Sequence, residues 1–404
     1  MLPSLHFFDS SRFDSLPKAE REEFLSLQKK WGISERTPYF MGDEEDDFDF
    51  DKNLNGFVTY LKAPKRKSHN TWRTYTVYTS EFLEFLNGQS CHWLDADQEL
   101  IDYYYSLKIN GSKELPKVDE NSWNVIQTAI THLYKYAKKK KLISTLPFST
   151  RASYSRFHQD EEVPDELRAK GTPKPLNYIS LEQYKEHWRP RINLQEQAQR
   201  NSALIEMLIC SGFRISEALD QDIYSLPDPD DSRWAGLKVI PVRVLGKGNK
   251  VRIVPVPKRI LRAVHFYMEE DRKDAVLRGK ANGSKHSDKV FLSENGEKLS
   301  VRQVEEIFVQ LSTATGIKLT PHGCRHMYAT FMRSLLQEVV RDNDRDIRNG
   351  EPDRFAKLLG DPDQILQKLL GHANVETVFI YTEIGPEVYG MLDTALTRFD
   401  AAVV

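Results

Sequence analysis

Residues 151–176 constrain the fold more than any other stretch. They include SRFHQDEEVPDELRAKGTPKP, which is polar, mixed in charge and carries Pro164, Pro173 and Pro175. A segment of that composition reads as an interdomain linker. At 404 residues the chain is also too long for one ordinary core. The expectation is two folded bodies, one on each side of residues 151–176.

On the N-terminal side, residues 1–52 divide into a candidate helix and an acidic run. Phe24, Leu27 and Trp31 recur at helical spacing between Lys18 and Trp31, and GDEEDDFDFD follows from Gly42 to Asp51. The acidic run reads as a solvated segment. Residues 53–150 are helical in pattern. Tyr75, Tyr78, Phe82, Phe85 and Leu86 form one apolar face, stopped by Gly88. Trp123, Ile126, Ile130, Leu133 and Tyr134 form a second, ahead of Lys138, Lys139, Lys140 and Lys141. Lysines there complement a helix C-terminus, and they equally suit phosphate contact. Lys65, Arg66, Lys67 and Arg73 make a second basic run, so the formal net charge of −2 conceals strong local asymmetry.

From residue 177 to 404 helices dominate. Ser180 and Gln183 have capping-box spacing. LKVIPVRVLGKGNKVRIVPVP alternates apolar and polar residues on both sides of Gly246 to Asn249, which predicts a hairpin. Arg278 to Lys289 reads as an exposed loop, and VRQVEEIFVQLSTATG as a further helix. Three cysteines without paired spacing, Cys91, Cys210 and Cys324, indicate neither a disulfide framework nor a metal site. No window approaches the apolar length of a membrane span, and the start lacks a secretory pattern, which together suggest a cytoplasmic protein.

Chemistry concentrates in four pieces: SGFRISEAL with Arg214 and Glu217, the hairpin turn with Lys247, LTPHGCRHMYATF with His322, Arg325 and His326, and LLGHANVETVFIYTEI with His372 and Tyr381. Guanidinium groups offer a planar, permanently charged fork to phosphate oxygens, which suits Arg214 and Arg325. A phenol such as Tyr381 can attack a phosphodiester and keep its bond energy in a covalent intermediate. GKGNK lacks the helix and final Ser or Thr that a nucleotide-binding loop requires.

No single piece is specific, but the order Arg, Lys, His-x-x-Arg, His, Tyr, with LLGH and YTE around the final pair, resembles the tyrosine recombinase (phage integrase) family from about residue 177 to 385. The resemblance implies a mainly α fold with a small β-hairpin in the catalytic domain, arranged as a two-domain clamp on double-stranded DNA. It assigns Tyr381 as nucleophile, Lys247 as the acid for the leaving 5′ oxygen with Lys250 as rival, His322 as proton-transfer partner, and His372 as a donor to a phosphate oxygen. Glu217 supports the arginines, and Tyr389 is the less favoured nucleophile. The family needs no metal or other cofactor and works as a tetramer on two DNA sites. The implied activity is site-specific strand exchange through a 3′-phosphotyrosine, of the integrase or transposase kind. A topoisomerase-like nicking and resealing enzyme, or a silent DNA-binding relative, are the alternatives. Between Arg325 and His372 the spacing exceeds the family pattern, and residues 339–364 read as an exposed insertion. The apolar tail after Asp393 has little to pack against locally, and the resemblance implies that it can dock into an adjacent protomer, with docking in cis or in trans left open.

Overall fold

The computed structural model describes residues 4–8, 21–22, 25–26, 29, 37–41, 51–62, 69–113, 115–152, 162–164, 178–246, 251–283, 288–351, 366, 369–370 and 386–404. The chain divides into two units, Met1–Lys174 and Pro175–Val404. Among the described residues no helix is long and apolar enough to cross a membrane.

The first unit opens on a pair of short antiparallel strands, β1 (Ser4–Phe7) and β2 (Pro38–Met41). Four helices follow: α1 (Lys52–Lys62), α2 (His69–Gly88), α3 (Gln98–Asn110) and α4 (Glu120–Lys139). The apolar spacing read in the sequence becomes the core, with Phe82, Phe85, Leu86, Trp123, Ile126, Ile130, Leu133 and Tyr134 buried. Each such side chain contributes about 1.5–3 kcal/mol on leaving water. The side chain of Asp119 accepts from the Ser122 amide at 2.9 Å and caps α4. The N-terminal segment differs from a free extension. Phe40 is fully buried, and the Asn55 side chain exchanges two hydrogen bonds with its backbone, at 2.9 and 2.7 Å. Asn55 can do this because an amide offers a donor and an acceptor side by side, matching one exposed strand peptide. Where described, residues 21–29 are helical and exposed. Two further strands, β3 (Thr150–Ala152) and β4 (Glu162–Pro164), pair within the polar stretch read as linker.

The second unit is built around α5 (Ala198–Ser211), which is buried from Ala203 through Ser211. A helical run precedes it: Leu181–Gln183, the π turn Tyr184–Trp188 and Arg189–Ile192, opened by the Ser180/Gln183 capping box. After α6 (Ile215–Leu219) come β5 (Val239–Leu245) and β6 (Val251–Pro257), an antiparallel hairpin in which Val244 faces Arg252. Ile240, Val242, Val244, Val254 and Val256 enter the core from one face. The helices α7 (Lys258–Glu269), α8 (Asp271–Ala281), α9 (Val301–Thr315), α10 (Pro321–Arg348) and α11 (Pro386–Val403) complete the unit.

Two expectations are corrected here, and one left open is decided. The stretch read as a loop from Arg278 begins as helix, because α8 reaches Ala281 and packs so closely that a Cβ on Gly279 would stand 2.6 Å from the Asn295 carbonyl. The insertion read as exposed begins as the last turns of α10, where Val339 and Asn343 are buried one turn apart. The tail docks in its own chain. Ala395, Leu396, Phe399 and Val403 are fully buried, and the Phe399 ring lies 6.0 and 5.9 Å from those of Tyr328 and Phe331. Its receptor is distant in sequence, on α10, α5 and the β5–β6 hairpin, so local reading could not find it. Arg398 pairs with Asp342 on the added turns of α10 at 3.1 Å.

Candidate active site

Local structure aims the two described arginines. The helix α5 ends at Gly212, whose φ of +62° is the left-handed conformation that favours glycine, and a Cβ there would strike the Tyr328 ring. The chain reverses, and Arg214 becomes the N-cap of α6. The helix α10 starts at Thr320, whose hydroxyl accepts from the Gly323 amide at 3.0 Å, with Pro321 in the first turn. His322 and Arg325 then lie one turn apart. His322 is exposed, Arg325 is buried, and the His322 ring meets the half-buried His326 ring edge-on at 4.3 Å.

Glu217 ties the cluster together. Its carboxylate, 1% exposed, accepts from the Arg214 amide at 2.8 Å and from Arg214 Nη1 at 2.7 Å. It also accepts from Arg252 Nε at 3.2 Å and Nη2 at 2.6 Å. Burial alone would raise its pKa, but the hydrogen bonds and charges of Arg252 and then Arg214 hold it below the ordinary carboxylate range. Arg325 donates to the carbonyls of Gly212 and Leu370, and Arg214 Nη2 reaches the same Leu370 carbonyl at 3.4 Å. Burial, then the charges of Arg214 and Arg252, push the Arg325 guanidinium down to about 9. Among the described residues, three guanidinium groups therefore face one carboxylate. A cluster with that excess of guanidinium over carboxylate attracts a phosphodiester, and most strongly as extra negative charge develops on it.

The structure thus brings together Arg214, Glu217 and Arg325 and places His322 on the same helical turn as Arg325. Lys247, Lys250, His372 and Tyr381 lie outside the described residues, as do Lys65, Arg66 and Lys67. The backbone of Tyr389 lies in α11. Sequence reading missed Arg252. Its signal was parity: Arg252 shares the inward register of Val254 and Val256, where an unpaired cation would be costly.

In the first unit, Lys138, Lys139, Lys140 and Lys141 are exposed at the end of α4. Rings of Tyr60 and Tyr136 lie 5.5 Å apart, and Lys139 Nζ sits 5.5 Å from the Tyr60 ring. That contact brings the lysine run to the end of α1, where Lys62 lies 4.4 Å over the ring of Trp72, next to Arg73. Basic groups remote in sequence share one end of the helical bundle.

The chain matches two family models, the phage integrase family over residues 182–338 and the phage integrase N-terminal SAM-like domain over residues 54–141. The tyrosine recombinase XerC of Bacillus pumilus (strain SAFR-032) is 28% identical over 335 residues, covering 82% of this chain and 91% of its own. The tyrosine recombinase XerD of Halalkalibacterium halodurans is 25% identical over 338 residues, covering 82% and 93%. Among solved structures, the integrase of the Tn1549 transposon in complex with a circular intermediate DNA has a TM-score of 0.51 at 17% identity, covering 81% of this chain and 94% of that one.

Proposed function

The chain belongs to the phage integrase family of tyrosine recombinases, and from that premise we propose a site-specific DNA recombinase that cuts and rejoins strands through a 3′-phosphotyrosyl intermediate. The Tyr381 oxygen attacks the scissile phosphorus, forming one P–O bond while the bond to the 5′ oxygen breaks. Lys247 gives that oxygen its proton, and His322 serves the proton lost by the phenol. Arg214 and Arg325 hold the non-bridging oxygens, with His372 donating to one of them. Rejoining is the same step reversed by a 5′ hydroxyl from the partner strand, so no metal or nucleotide is consumed. The protein acts in the cytoplasm, as a tetramer on two DNA sites, and the basic end of the first unit holds phosphates.

The surplus positive charge around Arg325 carries this reading, because a structural ion-pair network would balance itself. Its test is denaturing capture of protein-linked DNA from cells expressing wild type or Tyr381→Phe, with sequencing of the attached ends. Adducts at a defined sequence in the wild type alone are expected. Adducts retained by Tyr381→Phe would assign the nucleophile elsewhere.

A further inference from the structure

We infer that Arg252 is a positioning residue for the reaction: it occupies Glu217 so that Arg214 keeps its charge for the phosphate. The inference rests on the recombinase reading. It goes beyond it by assigning a role to a strand residue in the core of the second unit.

The geometry gives Arg252 no share in substrate contact. Its side chain is 6% exposed. Nε and Nη2 lie side-on against the Glu217 carboxylate at 3.2 and 2.6 Å, and Nη1 donates to the Leu369 carbonyl at 2.6 Å. All three guanidinium nitrogens are engaged inside the protein, and burial keeps the side chain away from an incoming anion. What Arg252 changes is the charge felt by its neighbours. Glu217 touches both Arg214 and Arg252, through two hydrogen bonds to each. A carboxylate shared between two cations neutralises neither fully. If Arg252 were absent, the Glu217 charge now shared between the two guanidinium groups would fall on Arg214. The same guanidinium pins the Leu369 carbonyl, next in the chain to the Leu370 carbonyl that Arg214 and Arg325 share. Arg252 therefore also holds the backbone beside the carbonyl that the other two arginines share.

A role through charge differs from a role through packing in how it is rescued. Removing Arg252 alone strands Glu217 beside Arg214, whereas removing the Glu217 charge as well returns Arg214 to full strength. Replacing both partners of a buried pair is also the gentler change for the fold. The test uses the full chain and the duplex identified by sequencing wild-type adducts, with single-turnover cleavage and duplex affinity measured side by side. Arg252→Met is expected to cleave about 100-fold more slowly while binding within about threefold of wild type. Arg252→Met with Glu217→Gln is expected to recover at least about tenfold of that loss. Arg252→Lys keeps the charge without the side-on fork and serves if the Met variant does not fold; a loss of about tenfold is expected from it. A double variant no faster than Arg252→Met, or an Arg252→Lys protein that loses about 100-fold although its charge is kept, overturns the inference. Absence of any wild-type adduct overturns the recombinase reading and this inference with it, so the two failures are told apart at the first step.

Discussion

The second unit contains two arginine–carboxylate clusters built from the same side chains to opposite ends. In one, Arg259 donates to Asp400 at 2.7 Å and to Glu206 at 2.5 Å, and Arg189 approaches Glu206 at 3.8 Å. Two cations meet two anions, and burial, which alone would lower the Arg259 pKa, is outweighed by those partners so that it rises. In the other, Glu217 is the carboxylate that Arg214 and Arg252 share among the described residues, with Arg325 beside them, and Arg325 moves the other way. The first cluster is complete and ties α11 to its own chain. The second carries more guanidinium than carboxylate among the described residues. Charge balance, rather than burial or the presence of arginine, separates a lock from a binding site.

Breaking each cluster sharpens that contrast. Arg325→Met is expected to lower adduct yield by about 10³-fold, because a donor to the developing charge is lost. Its melting temperature should hold or rise, since the side chain removed is a buried cation without a full counter-charge. Calorimetry alongside adduct capture checks both. Arg259→Met should do the reverse, costing about 2–4 kcal/mol by stripping Asp400 of this partner and leaving Glu206 only the longer approach of Arg189. That figure sits below the value for a fully buried pair because Arg259 is 33% exposed. Chemical denaturation measures it.

Inorganic sulfate provides a smaller, ligand-based comparison. At ten times its dissociation constant, it should stabilise wild type by about 1.4 kcal/mol and leave Arg325→Met unmoved, read as a thermal shift. The smallest effect is in acid. Glu217 is held below the ordinary 4.5, so its contribution to stability is present above about pH 4.5 and is lost as pH falls through the lowered value. In Arg252→Met the principal hydrogen bonds holding it down are gone and burial prevails. The acid-unfolding midpoint should then move to higher pH, followed by circular dichroism.

Much of this was legible in the sequence where spacing is local. The Ser180/Gln183 box, the hairpin around residues 246–250 and the two apolar faces of α2 and α4 follow from periods of 3.6 and 2. Arg214 and Arg325 were legible because their neighbours form ordered motifs. Arg252 was not, since its partner Glu217 lies 35 positions away and an arginine in a strand ordinarily reads as solvent-facing. The docking of Phe399 against Tyr328 and Phe331 and the anchoring of Phe40 by Asn55 were hidden for the same reason. Contacts between residues far apart in the chain fix them. The added turns of α10 were masked by their charge, although Val339 and Asn343 bury one face.

The most direct test of the central contrast measures protein-linked DNA, per folded molecule, from Arg325→Met and Arg259→Met side by side with wild type. Near wild-type adduct is expected from Arg259→Met and essentially none from Arg325→Met. Equal losses in the two variants, or adduct surviving in Arg325→Met, would contradict that contrast.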